Sequence, residues 1–160
     1  MENRNEINTI LGFEANDQQL DAIQRLSEFC KDNDPNDVLI LKGSAGTGKT
    51  SIIKAVSKIS WDRGNRIIMM APTGRASKIL KEKTNFAART IHSEVYTPEQ
   101  LENGIVRLHK KTNDNQAYTI FFVDESSMIS DNKKSNDSFI TDDSLLKDLI
   151  NYVKQGNKKN

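Results

Sequence analysis

The chain has 160 residues, enough for one domain with a core of its own. Lys and Arg number 23 against 22 Asp and Glu, a near balance that excludes a binder held to polyanions by net charge alone. A single cysteine, Cys30, excludes a disulfide framework and a cysteine zinc site, and no apolar run reaches the length of a membrane span. There is no signal-peptide pattern either, so the expected setting is the reducing cytoplasm, with no membrane partner.

Residues 1–13 read as a flexible lead-in, ahead of one domain over 14–160. Asp17 to Phe29 carries Leu20, Ile23, Leu26 and Phe29 at helical spacing, with Asn16 or Asp17 as cap. Val38 to Leu41 is a short, continuously apolar run, the pattern of a buried parallel strand. Lys49 to Ser60 reads as a helix that Gly64 stops. Arg66 to Ala71 is a second strand and Gly74 to Lys83 a second helix. Thr90 caps a short helix reaching Tyr96, and Ile105 to His109 reads as a strand. Tyr118 to Val123 is the most strand-like run of all. Ser130 to Asp143 is polar and expected to be a mobile loop. Leu145 to Val153 makes a last amphipathic helix capped by Asp143 or Ser144. Strands alternating with helices predict an α/β fold, a parallel sheet flanked by helices. Charge is uneven along this order. Acids outnumber bases from Met1 to Asp37 and bases outnumber acids from Gly74 to Lys111, so any nucleic-acid surface is expected mid-chain.

The chemistry begins at GSAGTGKT: Gly43, Ser44, Ala45, Gly46, Thr47, Gly48, Lys49 and Thr50. The spacing is G-x-x-x-x-G-K-[ST], between an expected strand and an expected helix, the phosphate-binding loop pattern. Ser51 follows outside the motif. Glycines let successive N–H groups curl around phosphate oxygens, and the helix N-terminus adds partial positive charge. Lys49 is expected to reach the outer phosphates of a nucleoside triphosphate and Thr50 to hold Mg²⁺ through its hydroxyl. YTIFFVDESS then ends a strand with Asp124 and Glu125. Ligands of open α/β sheets sit at the carboxyl ends of strands. Asp124 suits the Mg²⁺ shell, and Glu125 suits deprotonation of an attacking water. A carboxylate base beside the magnesium acid favours hydrolysis over transfer to a small acceptor. The catalytic set expected from the residues is Lys49, Asp124 and Glu125.

A second small-residue turn, APTGRASKIL, raises a separate question, because one nucleotide needs only one such loop. GSAGTGKT, APTGRASKIL, RTIH and VDESSMI occur in this order, and together they resemble the RecD-like branch of superfamily 1 DNA helicases over about Ala15 to Ile129. The resemblance implies a RecA-like P-loop NTPase domain that takes ATP and Mg²⁺ and works on single-stranded DNA in the 5′ to 3′ direction. It implies that Thr73, Gly74 and Arg75 lie on the DNA path, with His92 of the TIH element near it. A turn opening a helix offers N–H groups to a phosphate, and Arg75 adds charge, which agrees. It further implies that Gln19, through the Q-x-x-A spacing to Ala22, reads adenine, and that a small hairpin lies within residues 93–118, with Thr112 to Asn115 as its turn.

Finally, it implies a second RecA-like domain in the same full-length chain and a further strand between those carrying the phosphate loop and Asp124. The fold is therefore expected to be incomplete at the C-terminus, with Ser138 to Thr141 the weak candidate to fill the gap. A fragment of this kind should be of low stability and prone to self-association. Two other readings stay open. A nucleotide kinase would need acceptor-side arginines after the carboxylate strand, where only Lys133 and Lys134 stand. A non-catalytic nucleic-acid-binding module would not need Lys49.

Overall fold

A computed structural model describes residues 3–31, 37–115, 118–132, 139–140 and 143–156. The first element is a correction to the expected lead-in. Asn3 caps helix α1, Arg4–Leu11, by accepting from the Asn5 N–H, and Gly12 ends it in the left-handed region at φ 81°. Ile7 and Leu11 sit one turn apart and are buried in the core, with Ile10 packed beside them. That apolar stripe gives the segment a reason to order.

Helix α2, Asp17–Phe29, starts with a reciprocal cap in which Asn16 and Gln19 each bond the other's backbone. Helix α3, Lys49–Asp62, follows the glycine-rich loop, and Gly64 at φ 87° takes the chain into strand β1, Arg66–Ala71. Helix α4, Gly74–Thr84, leads to strand β2, Ala88–Thr90, and to the one-turn helix α5, Ile91–Val95, capped by Thr90 as expected. Strands β3, Tyr96–Gln100, and β4, Val106–Lys110, precede β5, Thr119–Val123, and a 3₁₀ turn, Ser126–Met128. Strand β6, Phe139–Ile140, and helix α6, Leu145–Gly156, complete the described elements. At α6 it is the Ser144 hydroxyl that caps, accepting from the Lys147 N–H.

The principal sheet is parallel, in the order β2-β1-β5, with Met70 opposite both Arg89 and Val123. Side chains of β1 alternate between two cores. Met69 enters a core formed with α1, α2 and α3, through Ile23, Ala55 and Val56. Ile68 and Met70 enter a second core with Ile91, Val95, Leu149 and Tyr152 of α5 and α6. The sheet is thus covered by helices on both faces, as an α/β layering requires.

A smaller sheet, β3-β4-β6, stands beside it. Strands β3 and β4 form an antiparallel hairpin whose turn is Leu101 to Ile105, with Gly104 at φ 80°, a different strand pair from the one expected to turn at Thr112 to Asn115. Gly104 supplies the positive φ that no residue of Thr112 to Asn115 adopts, and Asn113 is used otherwise, donating to the Tyr152 carbonyl in α6. Phe139 and Ile140 pair in parallel with Val106 and Arg107 of β4, so this part of the weak candidate does not fill a gap in the principal sheet. The rest of the expected mobile loop, apart from Ser130 to Asn132 and Asp143, lies outside the described residues.

The largest departure is at Val38 to Leu41. No strand ladder forms there, and Val38 and Ile40 are 70% and 68% exposed. A strand needs a neighbour to bond its backbone. Among the described residues the nearest strand on that side is β5, and a cleft separates the two.

Candidate functional site

Every expected site residue lies at or near one edge of the principal sheet, the edge to which the parallel strands point. Strand β1 runs into Thr73, β2 into Thr90 and β5 into Asp124, so the sheet's parallel register gathers segments far apart in sequence. The loop Gly43 to Gly48 closes this edge on the side of α3. Gly46 and Gly48 both take positive φ, at 80° and 88°. At Gly48 a side chain is excluded twice over, because a Cβ would also lie 2.7 Å from the Gln19 amide nitrogen. Gly48 thereby opens α3 with no side-chain cap, leaving first-turn N–H groups directed at the loop. The Thr47 hydroxyl donates to the Ser44 carbonyl at 2.9 Å and tightens the turn.

Lys49 Nζ folds back and donates to the carbonyls of Gly43 and Ser44, each at 2.8 Å. The ammonium is therefore held at the mouth of the loop by neutral acceptors that a phosphate outcompetes. Thr50, one residue into α3, donates its hydroxyl to Asp124 Oδ2 at 3.4 Å across 74 residues of sequence. The Asp124 N–H bonds the Met70 carbonyl and so continues the β1–β5 ladder by one rung. Glu125 then leaves the ladder in the left-handed region, at φ 53°, with its N–H on Asp124 Oδ1 at 2.9 Å. A bulky residue held at positive φ stores about 1–2 kcal/mol of backbone strain. Here the strain falls on the expected base.

Two hard oxygens, from Thr50 and Asp124, converge on one point. They suit Mg²⁺, which keeps most of its waters and takes one or two protein oxygens beside substrate phosphates. Among the described residues no cluster of three or more His, Cys, Asp or Glu offers an all-protein metal site. The loop suits a triphosphate, and the donor set suits its magnesium.

Gln19 is half-buried and already engaged. Its carbonyl accepts from the Asn16 N–H at 3.1 Å, and its amide donates to the Thr47 carbonyl at 3.3 Å. It is thus wired into the phosphate loop. Thr73 caps α4, its hydroxyl accepting from Ala76 at 3.2 Å, while Gly74 and Arg75 are exposed in the first turn. His92 is exposed one residue into α5, its ring 5.9 Å from that of Tyr96. The turn at Thr73 and the start of α5 follow neighbouring strands, β1 and β2, so both segments lie on the same edge. His109 is not among them: it pairs with Glu99 across the hairpin.

The structure adds polar residues that sequence reasoning did not single out. Glu94, buried in α5, accepts from Arg89 on one oxygen and from the Tyr152 hydroxyl on the other, both at 2.9 Å. Burial and the Glu94 carboxylate push the Tyr152 hydroxyl up to about 12. Asp148, also buried, accepts from Tyr96 at 2.7 Å and pairs with Lys110 at 2.6 Å. The signal was present: Asp148 lies on the apolar stripe Leu145–Leu149–Tyr152, where an acid is out of place unless paired. These two networks tie α6 to the hairpin and to α5.

A family model described as an AAA domain matches residues 14–136. The chain belongs to the AAA domain family. It is 35% identical over 127 residues, 72% of its length, to an uncharacterized protein of Methanocaldococcus jannaschii, of which it covers 10%. It is 34% identical over 95 residues to the ATP-dependent RecD2 DNA helicase of Deinococcus radiodurans, with 59% of this chain and 12% of that protein aligned. It is also 34% identical over 90 residues to the ATP-dependent DNA helicase dda of enterobacteria phage T4, with 55% of this chain and 20% of that protein aligned. The chain therefore spans a tenth to a fifth of the length of these relatives. Its α/β fold, with a parallel sheet flanked by helices, is that of a helicase-like P-loop domain. No helix among the described residues is long and apolar enough to cross a membrane.

Proposed function

We propose that this AAA domain is the ATP-binding, RecA-like unit of a RecD-like superfamily 1 DNA helicase, the front part of a longer protein. The whole protein couples ATP hydrolysis to 5′ to 3′ translocation along single-stranded DNA, with a second RecA-like domain closing over the nucleotide. The observation that carries this reading is the bond between Thr50 and Asp124, which brings the phosphate loop and the acidic strand end to one point beside Glu125. The similarity to two DNA helicases supports DNA as the substrate class.

The residues divide the work as follows. The N–H groups of Gly43 to Thr50 cradle the phosphates, and Lys49 leaves the Gly43 and Ser44 carbonyls to pair with their charge. Thr50 and Asp124 hold Mg²⁺, which when bound neutralises charge developing on the transferred phosphoryl group. Glu125 takes the proton of the attacking water. Gln19 joins the adenine edge to the Thr47 carbonyl, so recognition of the base bears on the phosphate loop. Thr73, Gly74, Arg75 and His92 face single-stranded DNA. This chain alone lacks the arginines of the second domain, so it binds nucleotide weakly and turns over little.

The test is ATP turnover by this chain with and without single-stranded DNA, beside Lys49→Ala. The expected result is negligible turnover in all four cases, with single-stranded DNA bound by the wild type and by Lys49→Ala, and more weakly by Arg75→Ala. Robust turnover lost in Lys49→Ala would overturn the claim of a half-site. Equal DNA binding by Arg75→Ala would overturn the DNA path.

A further inference from the structure

Helix α5 is five residues long, too short to persist on its own propensity. Its first turn still has a fixed place at the edge where the parallel strands end. Thr90 closes β2 and caps α5 through the Ser93 N–H at 3.1 Å. Ile91 and Val95 anchor the helix in the second core. Apolar contacts of that kind resist separation but have no preferred direction, so they tolerate sliding. Hydrogen bonds do not.

Two buried acids supply the direction. Glu94 of α5 takes the Tyr152 hydroxyl of α6 on one oxygen and Arg89 of β2 on the other. Asp148 of α6 takes the Tyr96 hydroxyl of β3 on one oxygen, with Lys110 of β4 beside the other. The arrangement is reciprocal. The segment running from α5 into β3 gives α6 an acid and a tyrosine, Glu94 and Tyr96. Helix α6 answers with a tyrosine and an acid one turn apart, Tyr152 and Asp148. Because donors and acceptors run both ways, α5 cannot slide along α6 without stretching at least one of the two bonds. Packing alone does not account for this. A buried carboxylate that loses a partner is costly, whereas apolar groups of the same shape would fill the space at little or no loss of stability.

Helix α6 is a suitable reference for such a clasp. Its Leu146, Ile150 and Val153 line the cleft that Lys49, Asp124 and Glu125 also line. The helix therefore meets the candidate nucleotide site and α5 at once. We propose that Glu94, Tyr96, Asp148 and Tyr152 are positioning residues, a clasp that sets the first turn of α5, with Thr90 and His92, for contact with single-stranded nucleic acid. The clasp rests on the reading that His92 faces single-stranded DNA, and it adds the residues that hold His92 in place.

The test removes the two hydroxyls and nothing else. The double variant Tyr96→Phe with Tyr152→Phe keeps every charge, and leaves Glu94 with Arg89 and Asp148 with Lys110. Three quantities are read at a temperature where circular dichroism shows each protein folded. They are affinity for a fluorescent oligothymidylate across a salt series, affinity for a fluorescent ATP analogue with Mg²⁺, and amide exchange at Ser93 and at Ile68 inside the β1–β5 ladder. The double variant is expected to bind the oligonucleotide at least about fivefold more weakly, with unchanged affinity for the analogue. Its salt slope should match wild type because no phosphate contact is lost, whereas Arg75→Ala should lower that slope by about 0.7. Exchange at Ser93 should quicken at least about tenfold while exchange at Ile68 stays as in wild type. Oligonucleotide affinity equal to wild type overturns the positioning role. So does a parallel loss of both affinities with faster exchange at Ile68, which would mark the hydroxyls as supports of the whole fold. Unchanged exchange at Ser93 overturns the clasp whatever the oligonucleotide does, while a wild-type chain that binds no oligonucleotide overturns the DNA-facing reading of His92.

Discussion

Lys49 rests on two neutral carbonyls of its own loop, and Glu125 sits strained at the end of β5. Both are arrangements that cost stability or leave charge poorly paired in the absence of a ligand, and both lie where chemistry is expected. Glu125→Gly is expected to raise the unfolding free energy by about 1 kcal/mol, since glycine takes positive φ without a Cβ penalty. In the proposed reaction it also removes the acceptor of the water's proton, so denaturant melts and any ATP turnover of the longer protein should move in opposite directions. Gly48→Ala should do the reverse of relief. It places a Cβ against the Gln19 amide at φ 88°, and a loss of about 2 kcal/mol is expected in the same melts, with weaker nucleotide binding.

At the scale of elements, α6 is held by two buried polar pairs as much as by its apolar stripe. Tyr152 titrates near 12 in the folded chain against about 10 in an unfolded one. A raised value means the folded state holds the proton longer. The stabilisation is complete below about pH 10 and is lost as pH rises from there through about 12. Tyr152→Phe should flatten the fall in stability over that window, measured by urea melts at stepped pH. Asp148→Ala removes the partner of Lys110 and Tyr96 and is expected to cost about 2 kcal/mol, moderated because Lys110 is partly exposed.

These pairs also mark the limit of what the sequence disclosed. Strand β1 and helices α2, α3 and α4 were legible because apolar spacing, caps and glycine stops all agree within each segment. GSAGTGKT and the Asp124–Glu125 pair stand out because each pattern is local in sequence, whereas their meeting through Thr50 and Asp124 is visible only in the fold. Helix α1 was overlooked because eight residues carry a short apolar stripe among polar neighbours. The hairpin was expected across a different strand pair because Thr112 to Asn115 is as turn-like in composition as Glu102 to Gly104. Only the tertiary use of Asn113 separates them.

For the whole molecule, the parallel sheet brings three strand ends to one edge, and a cleft stands between residues 38–42 and β5. Val38 to Leu41 has the local pattern of a strand, yet a strand is a property of a pair, and among the described residues no strand pairs with it. A low melting temperature and concentration-dependent association are expected of this chain, read by light scattering alongside thermal melts. The central claim, that the loop and the strand-end acids form an ATP site, is tested most directly by titrating the chain with a fluorescent ATP analogue, with and without Mg²⁺. Saturable, magnesium-dependent binding is expected, weakened at least about tenfold, or ~1.4 kcal/mol, in both Lys49→Ala and Asp124→Asn while each stays folded. Binding that is equal in wild type and Lys49→Ala, or absent from a folded wild-type chain, would contradict it.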